Sequence, residues 1–445
     1  PPPHFSSRRR HTRLLTQSRG LGDVYKRQAL SGINAAAQEL RIIGNNVSNS
    51  STTGFKQSRA NFADVYAASS SGGTANSIGA GVRLASVDQL FTQGNIGFTD
   101  SKLDLAINGQ GFFVLEDNGT RVYSRSGQFQ ADRDGFIVNS NDQRMIANVA
   151  DENGTITGAA GPIQLDSSNI PPKSTDTIEM AVNLDSSEVP PTTYPFDPER
   201  PSSFTHSTSL TVYDSLGTPA LASMYYVKTA VPNEWEVHTF VNGEHLRGPA
   251  DPATGLFNAD KIKFDGAGGL SHINGTAVPP GKISFPAIDT GTGADPMTLT
   301  LDLQGAIPIT QFGGAFTVNS IKQDGFTSGR LTGIDIDDTG IVRARFTNGQ
   351  NRTLGQVTLA NFSNPNGLRQ LGDSNWAESF DSGPSLVGTP GSGSLGLIQS
   401  GALEGSNVDL TGQLVNMITA QRNFQANAQV ISTADAVTQT VINIR

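Results

Sequence analysis

The sequence has no cysteine in 445 residues. Disulfides, thiolate catalysis and Cys-based metal sites are therefore excluded. The same lack suits a chain exported unfolded, in which stray thiols could cross-link. Histidine is scarce as well. Of six, His4 and His11 fall in the first 28 residues, and His206, His238, His245 and His272 are scattered through the middle. No HExxH, no Cys/His ligand set and no GxSxG elbow occurs. No apolar run approaches 18 residues, so insertion of a helix into a membrane is not expected. Basic charge is in deficit, with 31 Lys/Arg against 40 Asp/Glu. The first 28 residues hold seven of the basic and one of the acidic residues, so the remainder stands at 24 to 39, a net charge of −15. That balance disfavours nucleic acid and anionic membrane surfaces as partners.

What is present is a chain with helical ends and a β-rich middle. From Ala29 to Asn46, the residues Ile33, Ala36, Leu40, Ile43 and Val47 step by 3, 4, 3 and 4, the rhythm of a helical seam. From Val408 to Arg445, a second stripe runs through Leu410, Leu414, Met417, Gln421, Phe424, Ala428 and Ile431. It drifts to a neighbouring stripe that includes Val430, Val437 and Val441, as a 3.6-residue turn requires. Isolated amphipathic helices are marginal in water. These two either pack together in one monomer core or pack against other copies, and the pattern allows both. The Asn45–Asn46 pair and the Ser/Thr/Gly run after it read as the end of the first helix.

Between the ends, 49 Gly and 23 Pro punctuate short β segments such as "LDLAI", "GFFVLE" and "GFIVN". A Pro/Ser/Thr-rich stretch near 186–205 marks a boundary, and the β style before it returns after about 315. The expected organisation is nested. Residues 29–75 form the first helix and its connector, 76–185 the first part of a β domain, and 186–315 an inserted β domain. Residues 316–400 complete the first β domain and 401–445 form the last helix. The fold class is mixed: terminal helices forming a coiled-coil-like assembly core, plus two mainly-β domains. Residues 1–28 show no periodicity and resemble translated adapter sequence, so they are expected to lie outside the fold.

Chemical motifs are few. Gly391, Gly393 and Gly396 match GxGxxG but lack the strand and helix a phosphate site needs. The segments Asp335 to Gly340 and Asp132 to Gly135 suggest calcium loops, but position 12 of the first is Phe346, and turn chemistry accounts for both. His238 and His245, seven apart in β or loop sequence, are poor metal ligands. Asn46-Val47-Ser48 matches the glycosylation triplet at a helix end. No cofactor, metal or catalytic residue is expected, and a β-rich hydrolase has no carboxylate pair to point to.

The segment "ALSGINAAAQELRIIGNNVSNSSTTGFKQSRANFADVY" resembles the N-terminal signature of the bacterial flagellar rod and hook proteins. The segment "GALEGSNVDLTGQLVNMITAQRNFQANAQVISTADAVTQTVINIR" resembles their C-terminal signature. "LTVYDSLGTPALASMYYVKT" with Trp235 in "NEWEV" resembles the extra β domain of the hook branch. The resemblance implies a non-enzymatic, homopolymeric subunit of the flagellum, exported by the type III apparatus. It implies a flexible tube that carries torque from rod to filament, with the rod, hook–filament junction proteins and hook cap as partners. The assembly interface would include Ile33, Leu40, Ile43, Val47, Leu410, Leu414, Met417, Phe424, Ile431 and Val441. Phe62 and Tyr66 resemble the aromatic export-gate motif, and could otherwise share one face of a short helix. The family's own first residues, with part of the export signal, have no counterpart in 1–28, so the chain as written is expected to be impaired in export or assembly. A distal rod protein is the close alternative, but the insertion favours the hook branch. A secreted β-rich adhesin would need a Sec signal and tandem repeats.

Overall fold

The computed structural model describes residues 7–65, 79–151, 154–165 and 169–443, with side chains described between Val24 and Thr440. The chain divides into two compact units. The first comprises Pro1–Asp166, Gly333–Ala344 and Asn351–Arg445; the second comprises Ser167–Thr332 and Arg345–Gln350. The second unit is wider at both ends than the stretch 186–315 expected from composition, because the strands Thr177–Asn183 and Thr317–Gln323 pair with each other and complete its core.

In the first unit, helix α1 spans Ser7–Ser48 and helix α2 spans Leu410–Asn443. Their starts differ from expectation in opposite ways. α1 runs on through residues 7–28, a stretch with no apolar rhythm but no Pro or Gly-rich break, so the helix simply propagates. α2 begins at an N-cap: Asp409 Oδ1 accepts the Thr411 amide at 3.0 Å. Two strands follow α1, β1 (Ser58–Asp64) and β2 (Val82–Gln89), paired antiparallel as a separate ribbon. Phe62 therefore lies in a strand opposite Leu84, not on a short helix.

The main sheet of this unit includes, in spatial order, Asn351–Val357, Arg144–Ala150, Phe112–Asp117, Thr120–Ser124, Asn375–Ala377 and Arg369–Gly372. Its central strand is buried on both faces. Phe113 and Leu115 join one cluster with Ile107, Val122 and Met145, while Phe112 and Val114 join another with Tyr123, Phe362 and Trp376. A continuous apolar run is what a doubly covered strand requires. The two aspartate segments act as turns. Asp132 Oδ1 accepts the amides of Asp134 and Phe136, and Asp337 Oδ1 those of Thr339 and Ile341. The glycine triplet closes a loop, with Gly391 N donating to Gly396 O at 3.0 Å.

The second unit packs two sheets over one core. The larger includes His206–Tyr213, Pro219–Lys228, Glu234–Val241 and Asp260–Phe264 in spatial order; the smaller runs Lys282–Ser284, Thr300–Asp302, Thr177–Asn183, Thr317–Gln323. Trp235, Tyr226 and Met224 from the first meet Ile178, Met180 and Val182 from the second. Among the described residues, no helix is long and apolar enough to cross a membrane.

Candidate functional site

The two chain ends meet. α1 and α2 pack side by side, and three contacts fix their direction. Asn46 Nδ2 donates to Gln413 Oε1 at 3.2 Å, Gly32 lies against the Asn427 side chain, and Lys26 pairs with Asp435 at 2.6 Å. Numbers fall along one helix as they rise along the other, so the pair is antiparallel. Lys26, in the stretch expected to be foreign, takes the place this register demands.

The seam is built from small residues. Ala29, Ala36 and Ile43 are buried at seven-residue spacing on α1, and Ala420 is buried on α2. A Cβ at Gly32 would stand 2.5 Å from Asn427 Oδ1, so the glycine is what lets the helices approach there. Of the residues expected at an assembly interface, Ile43 is buried, and Ile33, Leu40, Val47, Met417 and Ile431 are half-buried. Leu410, Leu414 and Phe424 do not enter the seam; they are 47%, 52% and 38% exposed. The expected α2 stripe therefore does not face α1 as one unit. Close approach selects the small-residue face, and the larger side chains turn away. Tyr66 lies outside the described residues, and Val441 lies within α2 beyond the described side chains.

Below the helices lies a buried charged cluster that periodicity did not reveal. Glu404 Oε1 receives Lys56 Nζ at 2.6 Å and the Gly94 amide at 2.8 Å. Its Oε2 receives Arg125 Nη1 at 3.1 Å. Lys56 also donates to Thr92 O at 2.8 Å, and Arg125 Nη2 donates to Gly109 O at 2.9 Å. All three side chains are buried. Burial pulls the Lys56 ammonium below its ordinary value, with Glu404 opposing and Arg125 adding to the effect. Burial lowers the Arg125 guanidinium too, against the pull of Glu404. Gly54 completes the join. Its φ is +69°, its amide donates to Glu404 O at 2.8 Å, and a Cβ there would strike Ser126 N at 2.5 Å.

Two asparagines do the same work with backbone. Asn46 does not end α1; buried, it accepts the Ser58 amide at 2.9 Å and donates to Ser58 O at 2.8 Å, as a strand neighbour would. Its carboxamide is thus fully engaged within the glycosylation triplet. Asn407 accepts the Gln57 amide at 2.7 Å and donates to Leu90 O at 2.7 Å. The arrangement ties side chains to backbone on both sides of the junction. It fixes the direction in which both helices leave the β structure. Lone Lys, Arg, Glu and Asn residues far apart in sequence carry no periodic signal; Asn46, Lys56, Glu404 and Asn407 fall inside the two terminal signatures, whereas Arg125 falls in neither.

In the second unit, His238 and His245 sit in an aromatic cluster. His238 stacks on Phe196 with ring centres 4.0 Å apart, and burial, with His245 adding to it, drives its pKa down to about 3. Among the described residues, no group of three or more His, Cys, Asp or Glu could hold a metal ion.

Four family profiles match the chain in order. They are described as flagella basal body rod protein (27–56), flagellar hook protein FlgE/F/G D1 domain (106–183), flagellar basal body protein FlaE D2 domain (183–326) and flagellar basal body rod FlgEFG protein C-terminal (399–444). The flagellar hook protein FlgE of Escherichia coli K12 is 39% identical over 422 residues, covering 94% of this chain and 99% of that protein. The chain belongs to the flagellar hook protein family. FlgE of Borreliella burgdorferi is 32% identical over 449 residues, covering 94% of this chain and 98% of that one. A crystal structure of Helicobacter pylori flagellar hook protein FlgE2 superposes with a TM-score of 0.52, covering 69% of this chain and 100% of that chain at 14% identity, a likeness of fold. This hook protein is a structural, non-enzymatic subunit of the flagellar hook, outside the cell, where the family polymerises. Its charged cluster takes one residue from each of three profiles: Lys56 from the rod profile, Arg125 from D1 and Glu404 from the C-terminal profile.

Proposed function

We propose that this subunit polymerises helically through the helix pair, giving a flexible tube that carries torque from rod to filament. The supporting observation is α2 itself. Over 34 residues it carries only two charged side chains, Arg422 and Asp435. It buries one narrow face against α1, and Leu414, Val415, Ile418, Val430 and Val437 remain exposed around the rest of its circumference. Large apolar side chains exposed on several sides of a nearly uncharged helix call for a surrounding interior. One neighbour cannot supply that interior, whereas several neighbouring copies can. Leu410, Leu414 and Phe424 serve this outward contact, with Val441 continuing it, while Ile33, Leu40, Ile43, Val47, Met417 and Ile431 line the pair. The second unit adds lateral contacts that tune curvature. The rod, the hook–filament junction proteins, the hook cap and the type III export apparatus are the heterologous partners. Phe62 and Tyr66 act in export before the chain folds, since β1 pairs Phe62 into the ribbon afterwards.

The test replaces Leu414, or Val415, with Asp on the outward face. Polymerisation, followed by sedimentation and electron microscopy, should be lost, because a charge at a desolvated position costs several kcal/mol unless paired. Near-ultraviolet circular dichroism of the monomer should not change. Tubes formed at the wild-type concentration would remove the outward face from the assembly.

A further inference from the structure

In the second unit, residues 189–204 form a strap over one face of the larger sheet, the face opposite the Trp235 and Tyr226 side chains. At its two ends the Ser186 amide donates to Phe312 O at 3.0 Å and the Thr205 amide to Tyr226 O at 2.9 Å. Between these anchors, the hydrogen bonds of the strap to described residues all close on the strap itself. Ser203 Oγ donates to Asp197 O and accepts the Asp197 amide, Asp197 accepts the Glu199 amide and pairs with Arg200, and Thr193 meets Ser202. Aromatic packing holds it down. Phe196 stacks on His238 with ring centres 4.0 Å apart and planes 7° apart, and Phe204 meets Tyr225 edge-on at 4.9 Å. Phe240 and Phe257 complete the cluster. A segment held by a few side chains, with no backbone bond to the sheet it covers, opens at a lower free energy than the unit as a whole.

The group under the strap tolerates no proton. His238 is 2% exposed, and its Nδ1 and Nε2 are both buried without a hydrogen-bond partner. An imidazolium has two N–H groups to place, and every carboxylate on the surrounding elements is engaged or faces water. Asp260 accepts from Arg247 at 2.7 and 3.1 Å and from Asn274 at 2.7 Å. Asp197 holds Arg200, and Glu236, on the strand of His238, pairs with Lys261 at 3.5 Å. Glu199, Glu244 and Asp251 are exposed. Tyr225 lies opposite His238 in register, and His245 beside it can add only charge of the same sign. Burial and His245 accordingly hold the His238 pKa down to about 3.

We propose that residues 189–204 are an acid-released strap, which lifts away with Phe196 when His238 takes a proton from solvent. The sheet beneath and its Trp235 core stay folded. Lifting admits water to both ring nitrogens, and the imidazole then titrates near its ordinary 6.5. Above that pH the lifted and closed forms are equally unprotonated, and the strap stays down. Below it the lifted form gains a proton that the closed form refuses, so its share rises about tenfold per pH unit. Between pH 7.5 and 4.5 the lifted fraction should grow about ninetyfold. Lifting bares Tyr225, Phe240 and Phe257, so the surface that the second unit presents changes with acidity.

Because the chain has no cysteine, one introduced thiol can report the lifting. Val227 is buried in the cluster under the strap, and Val212 is buried in the core on the other side of the sheet. In the full chain, Val227→Cys and Val212→Cys are each labelled with dithiodipyridine, and each rate is compared with that of the same chain unfolded in guanidinium at the same pH. Protection of Val227→Cys should fall about ninetyfold from pH 7.5 to 4.5, while Val212→Cys keeps its protection. Adding His238→Phe to Val227→Cys should abolish the fall. Adding Phe196→Ala instead should leave that thiol open already at pH 7.5, a test that does not depend on the histidine variant folding. Protection at position 227 that is constant with pH, that falls equally at position 212, or that still falls without His238 would overturn the strap.

Discussion

The strand Phe112–Asp117 and the helix α2 are both rich in large apolar side chains, and the chain treats them in opposite ways. Phe112, Phe113, Val114 and Leu115 alternate between two clusters, and each is covered by residues of the same unit. On α2, burial within the subunit stops at a narrow seam of small residues, and Leu414, Val415 and Ile418 stay outside. The strand completes its core in the monomer. The helix completes its own only among copies. Truncation at the strand should therefore damage the monomer, and truncation on the helix should damage only the assembly.

The largest effect should come from Phe113→Ala. It empties a fully buried site and should destabilise the first unit by about 4 kcal/mol, read from denaturant unfolding. Leu414→Ala should change monomer stability by less than about 0.5 kcal/mol. Equal losses for the two would erase the distinction. Next comes Glu404→Ala, which leaves Lys56 and Arg125 buried without their carboxylate and should cost about 3 kcal/mol. Hydrogen exchange should then report loosening where α1 and α2 leave the β structure, with the second unit unchanged. Exchange unaffected near Gly54 and Asn407 would mean that the cluster does not hold the helices.

The smallest effect concerns acid and lies in the second unit. His238 is neutral in the fold, with its pKa driven from 6.5 to about 3 by burial and His245. Above pH 6.5 neither folded nor unfolded chain protonates it. Below that, the unfolded chain takes up a proton that the fold refuses. The contribution of His238 to stability is therefore lost as pH falls from 6.5 towards 3, by at most about 1.4 kcal/mol per pH unit. His238→Phe should flatten the stability profile of this unit between pH 6.5 and 4.5. An unchanged slope would assign the acid sensitivity to other groups.

Both terminal helices could be read from spacing because a 3-4 repeat reports that a side must be buried, whoever buries it. The choice of partner face could not be read. Gly32, Ala36 and Ala420 win the intramolecular seam through close backbone approach, which a hydrophobicity pattern does not record. The start of α1 was missed for the converse reason: residues 7–28 are helical without an apolar stripe. The turn aspartates Asp132 and Asp337 were legible because turn chemistry is local. Lys56, Arg125 and Glu404 were not, because their pairing spans nearly the whole chain.

That span has a kinetic meaning. Lys56 and Glu404 are 348 residues apart in sequence, and Asn407 meets Gln57 across 350. Closing so long a loop is entropically costly before any contact repays it, and such distant pairings form slowly. A chain emerging from its N-terminus would hold Lys56 ready for hundreds of residues with nothing to receive it. The junction can shut only after residue 407 has arrived, by which time both β cores can have formed. The helices thus gain their fixed exit direction last, and a truncated chain, lacking Glu404, never gains it. Readiness to assemble is in this way made to follow completion of the polypeptide.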